Sequence, residues 1–124
     1  MVKLLEKIQV IFDAFRKKLN LYDVPFIVGG LGDFLANYEH GEISEYHTKV
    51  TAALKSFAAK NPMTGFVSAE GLGANPDNLH FSAKALREFG VRYYEEFKKY
   101  EDKNKVFEEK NTMDNAIRNE IENL

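Results

Sequence analysis

The chain has 124 residues, of which 44% are hydrophobic and 29% charged, and its formal net charge is −2. This is enough for one domain with a hydrophobic core, and the slightly acidic balance gives no electrostatic reason to expect a nucleic acid partner. The lack of cysteine excludes a disulfide framework, a thiolate nucleophile and a cysteine zinc site. The charged start 1–7 does not resemble a signal peptide and no long apolar run follows, so we expect a cytoplasmic protein without a membrane span.

The first 43 residues predict a helix, a strand and a loop. Apolar residues at helical spacing over 3–20, with lysine and glutamate between them, predict an amphipathic helix. The run 26–30 is apolar, leans toward β structure and closes with two glycines, which suits a short buried parallel strand. Residues 31–43 have no periodicity and are expected to form a loop.

The next segment predicts a second helix and a second strand. Ser44 is a candidate N-cap, and the helix should end at Asn61-Pro62 with His47 on its surface. Residues 65–68 then predict another short strand, and a loop rich in glycine, asparagine and proline follows over 70–80.

Ser82 can cap the last strong helix of the chain. The predicted core face of that helix consists of Leu86, Phe89, Tyr93, Phe97 and Tyr100. Composition changes after residue 100, so 101–124 is interpreted as an acidic tail or a loosely docked helix. The order of elements is α/β alternation, yet two strands do not make a stable sheet, so either the fold is unusual or strands are missing.

The chemistry is concentrated in Asp77 and His80, which lie in the loop before the last helix. An aspartate three residues ahead of a histidine can accept a hydrogen bond from Nδ1–H, which leaves Nε2 free to take a proton from a nucleophile. The predicted position, after a strand of an α/β sheet, favours function. Asp77 can also serve as an Asx-turn residue, and the two roles are compatible.

A nucleophile is harder to find among the four serines. Ser44 and Ser82 are interpreted as helix caps, and Ser56 falls within a helix. Ser68 ends the second strand, but its surroundings match no nucleophile elbow. We therefore expect no serine of this chain to act as the nucleophile.

Three weaker patterns remain. The glycines of 29–32 follow a strand, but Leu35 takes the place of the third glycine in a dinucleotide fingerprint, so a small nucleotide-binding module is a minor alternative. His40, Glu42 and His47 suggest a metal site only weakly, and neither a metal nor a cofactor is expected. Phe34 and Tyr38 are candidates to line a sugar-sized pocket.

Three segments, in order, carry a resemblance to a known family. They are 25–34 (PFIVGGLGDF), 65–72 (GFVSAEGL) and 77–81 (DNLHF). Together they resemble the C-terminal part of the sialate O-acetylesterase and acetylxylan esterase-like carbohydrate esterases of the SGNH-hydrolase superfamily. The resemblance covers about residues 3–100.

The resemblance implies that 1–100 is the C-terminal segment of a three-layer α/β/α domain with a five-stranded, flavodoxin-like parallel sheet, and that 101–124 lies outside it. It also implies a cofactor-independent serine esterase that removes acetyl groups from sugars, with His80 as general base and Asp77 as its orienter. Gly30, Gly32 and Phe34 would be the substrate-binding residues, although members of the family often carry Glu or Gln in place of Gly30.

The family's nucleophilic serine and oxyanion-hole groups belong to an N-terminal half that these 124 residues do not include. The resemblance therefore implies two partners: the acetylated sugar, and a polypeptide segment or chain that supplies the missing half. Without that half, the strand at 26–30 would have an unpaired edge, and we expect this chain alone to be inactive and poorly soluble, or ordered only with a partner. The alternative is a non-catalytic remnant or interaction module.

Overall fold

The computed structural model describes residues 2–101 and 115–123. The described elements are α1 (Val2–Leu19), β1 (Phe26–Gly29), a 3₁₀ helix (Asp33–Asn37), α2 (Ile43–Lys60), β2 (Thr64–Val67) and α3 (Ala83–Lys98). Residues 115–122 are also helical, and we call them the C-terminal helix. No helix in the described part of the chain is long and apolar enough to cross a membrane.

The two strands pair in parallel, as predicted, with Phe26 opposite Thr64 and Gly29 opposite Val67. Helices cover both faces of this small sheet. On one face, the ring of Phe26 packs edge-to-face against Phe12 of α1, with 5.1 Å between the ring centroids. On the other face, a Cβ atom placed on Gly29 would meet Tyr93 of α3. The chain therefore contains part of an α/β fold.

The hydrophobic core lies on both sides of the sheet. The cluster between β2 and α3 consists of Val67, Ala69, Leu72, Ala85 and Phe89. On the opposite face, Phe57 of α2 is 1% exposed and meets Phe12 edge-to-face at 5.2 Å. This burial holds β1 and β2 in place, and the loops that follow both strands lie at the carboxyl edge of the sheet.

Three local predictions are wrong. α2 begins at Ile43, one residue before the predicted cap, so Ser44 lies inside the helix, and its carbonyl lies 3.0 Å from Nδ1 of His47. His47, predicted to lie on the surface, is buried at 8% exposure. The segment 31–43 contains a 3₁₀ helix, which the absence of a 3.6-residue period did not reveal.

The face that α3 buries differs from the predicted core face. Ser82 is its N-cap, as predicted, and its side chain accepts a hydrogen bond from the backbone N–H of Ala85. Ala85 is 3% exposed whereas Leu86 is 56% exposed, so Leu86 does not belong to the core face. The small side chain of Ala85 lets the helix approach the β2 side closely, and Leu86 is rotated about 100° away from that contact.

The predicted tail is described only in part. Residues 102–114 and 124 lie outside the described residues, and in the C-terminal helix Ile117 and Ile121 are 54% and 63% exposed. The division of the chain at residue 100 stays a prediction.

Candidate active site

The predicted base and its orienter lie in a short closed loop between β2 and α3. The loop is closed by an isolated antiparallel bridge between Ala74 and Phe81. Inside it, the N–H of Asn75 donates to the carbonyl of His80 at 2.8 Å, and the N–H of Asn78 donates to Asn75 at 3.0 Å. These bonds satisfy the polar backbone of the loop internally, so its shape is set before any ligand arrives.

The loop is anchored by the residue that follows His80. The ring of Phe81 stacks on Phe89 of α3 at 5.1 Å and meets Phe34 edge-to-face at 5.1 Å. Because Phe89 is part of the core, the backbone beside His80 is fixed to the hydrophobic cluster between β2 and α3. The 3₁₀ helix is tied to the same region, since Asp33 Oδ2 accepts a hydrogen bond from the N–H of Gly71 at 3.0 Å.

Asp77 makes three hydrogen bonds that together hold the histidine. Its Oδ1 accepts from the N–H of Leu79 at 2.9 Å and from the N–H of His80 at 3.1 Å, which is an Asx-type turn. Its Oδ2 lies 2.7 Å from Nδ1 of His80. The structure thus brings the two predicted residues together, and the turn and the orienting contact coexist.

The electrostatics assign the proton in this contact. The hydrogen bond from the His80 side chain, followed by those from the backbone N–H groups of Leu79 and His80, lowers the pKa of Asp77 from 3.8 to about 2. An ionised carboxylate can only accept hydrogen bonds, so Nδ1 must carry the hydrogen. In the neutral ring, Nε2 is then the basic nitrogen.

The basic nitrogen is accessible. The side chain of His80 is 69% exposed and that of Asp77 is 46% exposed. Among the described residues, Nδ1 of His80 has a hydrogen-bond partner and Nε2 has none. The arrangement can take a proton from a hydroxyl brought to Nε2 and return it to a leaving group.

The three predicted substrate-binding residues contact the protein itself. Gly30 is buried, and a Cβ there would lie 3.1 Å from Phe66 and from Thr51. At Gly32 a Cβ would lie 2.3 Å from the ring of Phe34, so glycine is what permits this ring position. Phe34 supports the loop through its contact with Phe81. Their part in substrate binding stays a prediction.

Ser68 directly follows β2, which ends one residue earlier than predicted. Its hydroxyl accepts a hydrogen bond from the N–H of Glu70 at 3.1 Å. Its carbonyl and that of Glu70 both accept from Nη1 of Arg92, at 2.9 Å each. These contacts make Ser68 part of a turn held by α3. Sequence reasoning missed Asp33 and Arg92, because a lone charged residue gives no periodic signal.

The minor alternatives gain little from the structure. The helix after the glycines 29–32 is a five-residue 3₁₀ helix, too short to present the N-terminus of an α-helix to a phosphate. Among the described residues, no group of three or more His, Asp or Glu side chains is placed to hold a metal ion.

Comparison with known families assigns most of the chain to one of them. The family model described as carbohydrate esterase, sialic acid-specific acetylesterase, matches residues 3–99. No curated protein matches the chain. The match spans every element from α1 to α3 and includes the Asp77–His80 loop. The chain therefore belongs to the sialic acid-specific acetylesterase family of carbohydrate esterases.

Proposed function

We propose that this chain supplies the general base and its orienter to a serine-type carbohydrate O-acetylesterase whose nucleophile comes from another polypeptide segment. The observation that carries the proposal is the 2.7 Å contact between Asp77 Oδ2 and His80 Nδ1 beside an accessible Nε2. Family membership supports hydrolysis of sugar acetyl esters as the reaction.

The proposed mechanism begins with proton transfer to His80. Nε2 takes the hydroxyl proton of the serine as its oxygen attacks the acetyl carbonyl carbon, and Asp77 stabilises the imidazolium through Nδ1–H. The tetrahedral intermediate collapses, the C–O bond to the sugar breaks, and Nε2 gives the proton to the departing sugar oxygen. Water then attacks the acetyl-serine by the same two proton transfers, which releases acetate and restores the serine.

The need for a second segment is supported by the serines and by the edge of β1. Ser82 caps α3 and Ser68 is held in a turn, so neither is presented to His80 as a nucleophile. In the described residues, β1 pairs with β2 alone. By the alternation of a parallel ladder, the N–H and C=O groups of Ile27 and Gly29 point away from β2 and are open to a further strand.

An exposed apolar stripe on α1 supports the same partner. Ile11, Phe15 and Leu19 are 55%, 48% and 55% exposed, and the ring of Phe15 lies 6.3 Å from that of Phe26 in β1. The stripe and the strand edge are therefore neighbours, and a strand with its own helix would cover both. We propose that the partner adds strands here and completes a larger parallel sheet of the SGNH type.

The alternative function is a non-catalytic interaction module. The specific observation in its favour is the exposure of Ile117 and Ile121 in the C-terminal helix, one turn apart on one side. Such a module would bind its partner equally well with His80 replaced, and the combination would hydrolyse no ester.

The test compares the chain alone with the chain expressed together with the polypeptide that carries the nucleophilic serine. Alone, it should hydrolyse 4-nitrophenyl acetate no faster than free histidine at the same concentration. The combination should hydrolyse it rapidly, and His80→Ala should reduce kcat by a factor of roughly 10² to 10⁴. Asp77→Asn should also lower kcat, because an amide can hold Nδ1 in the wrong tautomer.

Glu45→Gln is the matched control for Asp77→Asn, since Glu45 is an exposed carboxylate in the first turn of α2. It should leave kcat unchanged. Activity in the chain alone that disappears in Ser68→Ala would contradict the proposal, and so would full activity of the combination after His80→Ala.

A further inference from the structure

A cleft of about 370 Å³ lies beside the Asp77–His80 pair. One wall is formed by 37–40, where the 3₁₀ helix ends, and the other by 76–79 of the loop. Asp77 lines the cleft and bonds the ring of His80, so the cleft and the accessible base are neighbours. Clefts of a few hundred Å³ with convergent polar groups are the usual form of a small-molecule site.

Both walls are held in position without a ligand. Tyr38 follows the 3₁₀ helix, and its N–H donates to the carbonyl of the buried Leu35 at 3.1 Å. The other wall is held by the bonds of Asp77. The Asp33–Gly71 bond and the Phe34–Phe81 contact join the segments that carry the two walls. A site already in its bound shape loses little conformational entropy on binding.

The lining has the chemistry of a sugar site. Tyr38 and His40 meet edge-to-face with ring centroids 5.6 Å apart, which places two aromatic rings on one wall. Glu39 on the same wall, and Asp77 and Asn78 on the other, offer carboxylate and amide groups to hydroxyls. Aromatic rings contact the C–H face of a pyranose, and such polar groups bond its edge.

The charges in the cleft discriminate between kinds of sugar. Two carboxylates, those of Glu39 and Asp77, line it. The groups beside them that can carry positive charge are the two imidazoles, that of His40 in the lining and that of His80 on Asp77. Neither lysine nor arginine is among the described residues of its lining. In water, each like charge at about 5 Å weakens binding of an anion roughly three- to fourfold, so two carboxylates cost about tenfold.

We infer that this cleft binds the sugar ring of the acetylated substrate and favours a neutral sugar over one that carries a carboxylate. The inference rests on the proposed function for the choice of sugars as ligands. The inference narrows the expected substrates to esters of neutral sugars, because a sialic acid bears a carboxylate and a xylose unit does not.

The test measures binding to the full chain by amide chemical-shift changes at pH 7.5. The probes are an O-acetylated methyl xyloside and an O-acetylated methyl glycoside of N-acetylneuraminic acid. The xyloside should bind roughly tenfold more tightly at low salt, with shifts at 37–40 and 76–79. The difference should shrink as salt is added.

Three variants make the test specific. Tyr38→Ala should weaken xyloside binding roughly three- to tenfold, because the ring face is lost. The control Tyr94→Ala removes a tyrosine that is 58% exposed on α3 and should change nothing. Glu39→Gln should strengthen binding of the sialic acid probe about threefold and leave xyloside binding unchanged.

Equal or tighter binding of the sialic acid probe, or an affinity for xyloside that Tyr38→Ala does not alter, would overturn the inference. In the chain combined with its partner, hydrolysis of the xyloside with the same KM before and after Tyr38→Ala would also overturn it, while the esterase proposal stood. Xyloside binding that depends on Tyr38, without hydrolysis by the combination, would support the cleft and count against the esterase alone.

Discussion

Arg16 of α1 is a buried cation, and we expect its replacement to lower the free energy of unfolding more than replacement of any other charged residue of that helix. It is 6% exposed, and its guanidinium donates to the carbonyls of Leu21, Val24 and Met63. It also lies 4.9 Å from the centre of the Phe12 ring. One side chain therefore ties the end of α1 to the chain entering β1 and to the residue before β2.

The magnitude follows from these bonds. Hydrogen bonds to a charged group contribute about 1.5–3 kcal/mol each, but water can replace the donor at the more exposed carbonyls. We therefore expect Arg16→Met to lower the free energy of unfolding by about 3 kcal/mol in total. Methionine is the chosen replacement because it keeps an apolar stem against Phe12 while it removes the charged guanidinium and its donors.

The assay is urea unfolding of the chain purified together with the partner that completes its sheet, followed by circular dichroism. With an m-value of about 2 kcal/mol/M, the midpoint should fall by about 1.5 M. The matched control is Arg87→Met, since Arg87 is exposed on α3, and its free energy of unfolding should stay within about 0.5 kcal/mol of the parent. Equal urea midpoints for the two variants would show that the hydrogen bonds of Arg16 to the three carbonyls do not stabilise the fold.

Two further predictions concern the site and the sheet. The carboxyl carbon of Asp77, followed by NMR, should titrate near pH 2 and return toward 3.8 in His80→Ala. Because folding lowers the pKa of Asp77, its ionised carboxylate stabilises the folded state fully above pH 3.8, and this stabilisation is lost as the pH falls through about 2. A titration midpoint of Asp77 that is unchanged by His80→Ala would contradict the contact. Gly29→Ala should destabilise by about 1–3 kcal/mol, since its Cβ would lie 2.0 Å from Tyr93 Oη, whereas Gly90→Ala in open space on α3 should stabilise by about 0.5–1 kcal/mol. Thermal unfolding measures both, and equal effects would refute the packing argument.

Much of the fold is readable from local signals. The helices, both strands, the Ser82 cap and the stop at Asn61 follow from apolar periodicity, capping chemistry and proline, each of which acts within a few residues. The contact between Asp77 and His80 was predictable for the same reason, since a three-residue spacing almost determines it.

Features that depend on tertiary packing were not predictable. His47 has the sequence context of a surface residue, and its burial arises from where α2 lies against the rest of the chain. Arg16 sits in a run of basic residues that indicates an exposed end of a helix, and its acceptors are separated from it by up to 47 residues. The cleft joins two loops: Tyr38 was a candidate to line a sugar-sized pocket and does line the cleft, but the second wall, 76–79, was not predictable from the first loop.

The backbone N–H of His80 holds the carboxylate of Asp77, and that carboxylate in turn orients the ring of His80. On the proposed function, His80 is the proton acceptor, and the contacts that orient it lie within the four residues 77–80, independently of the group that delivers the hydroxyl. On the same proposal, a partner that adds a strand to β1 has only to be placed correctly, because the Asp77–His80 contact does not have to change shape. We therefore expect the Asp77–His80 contact to survive unchanged when the partner is exchanged for the corresponding segment of another family member.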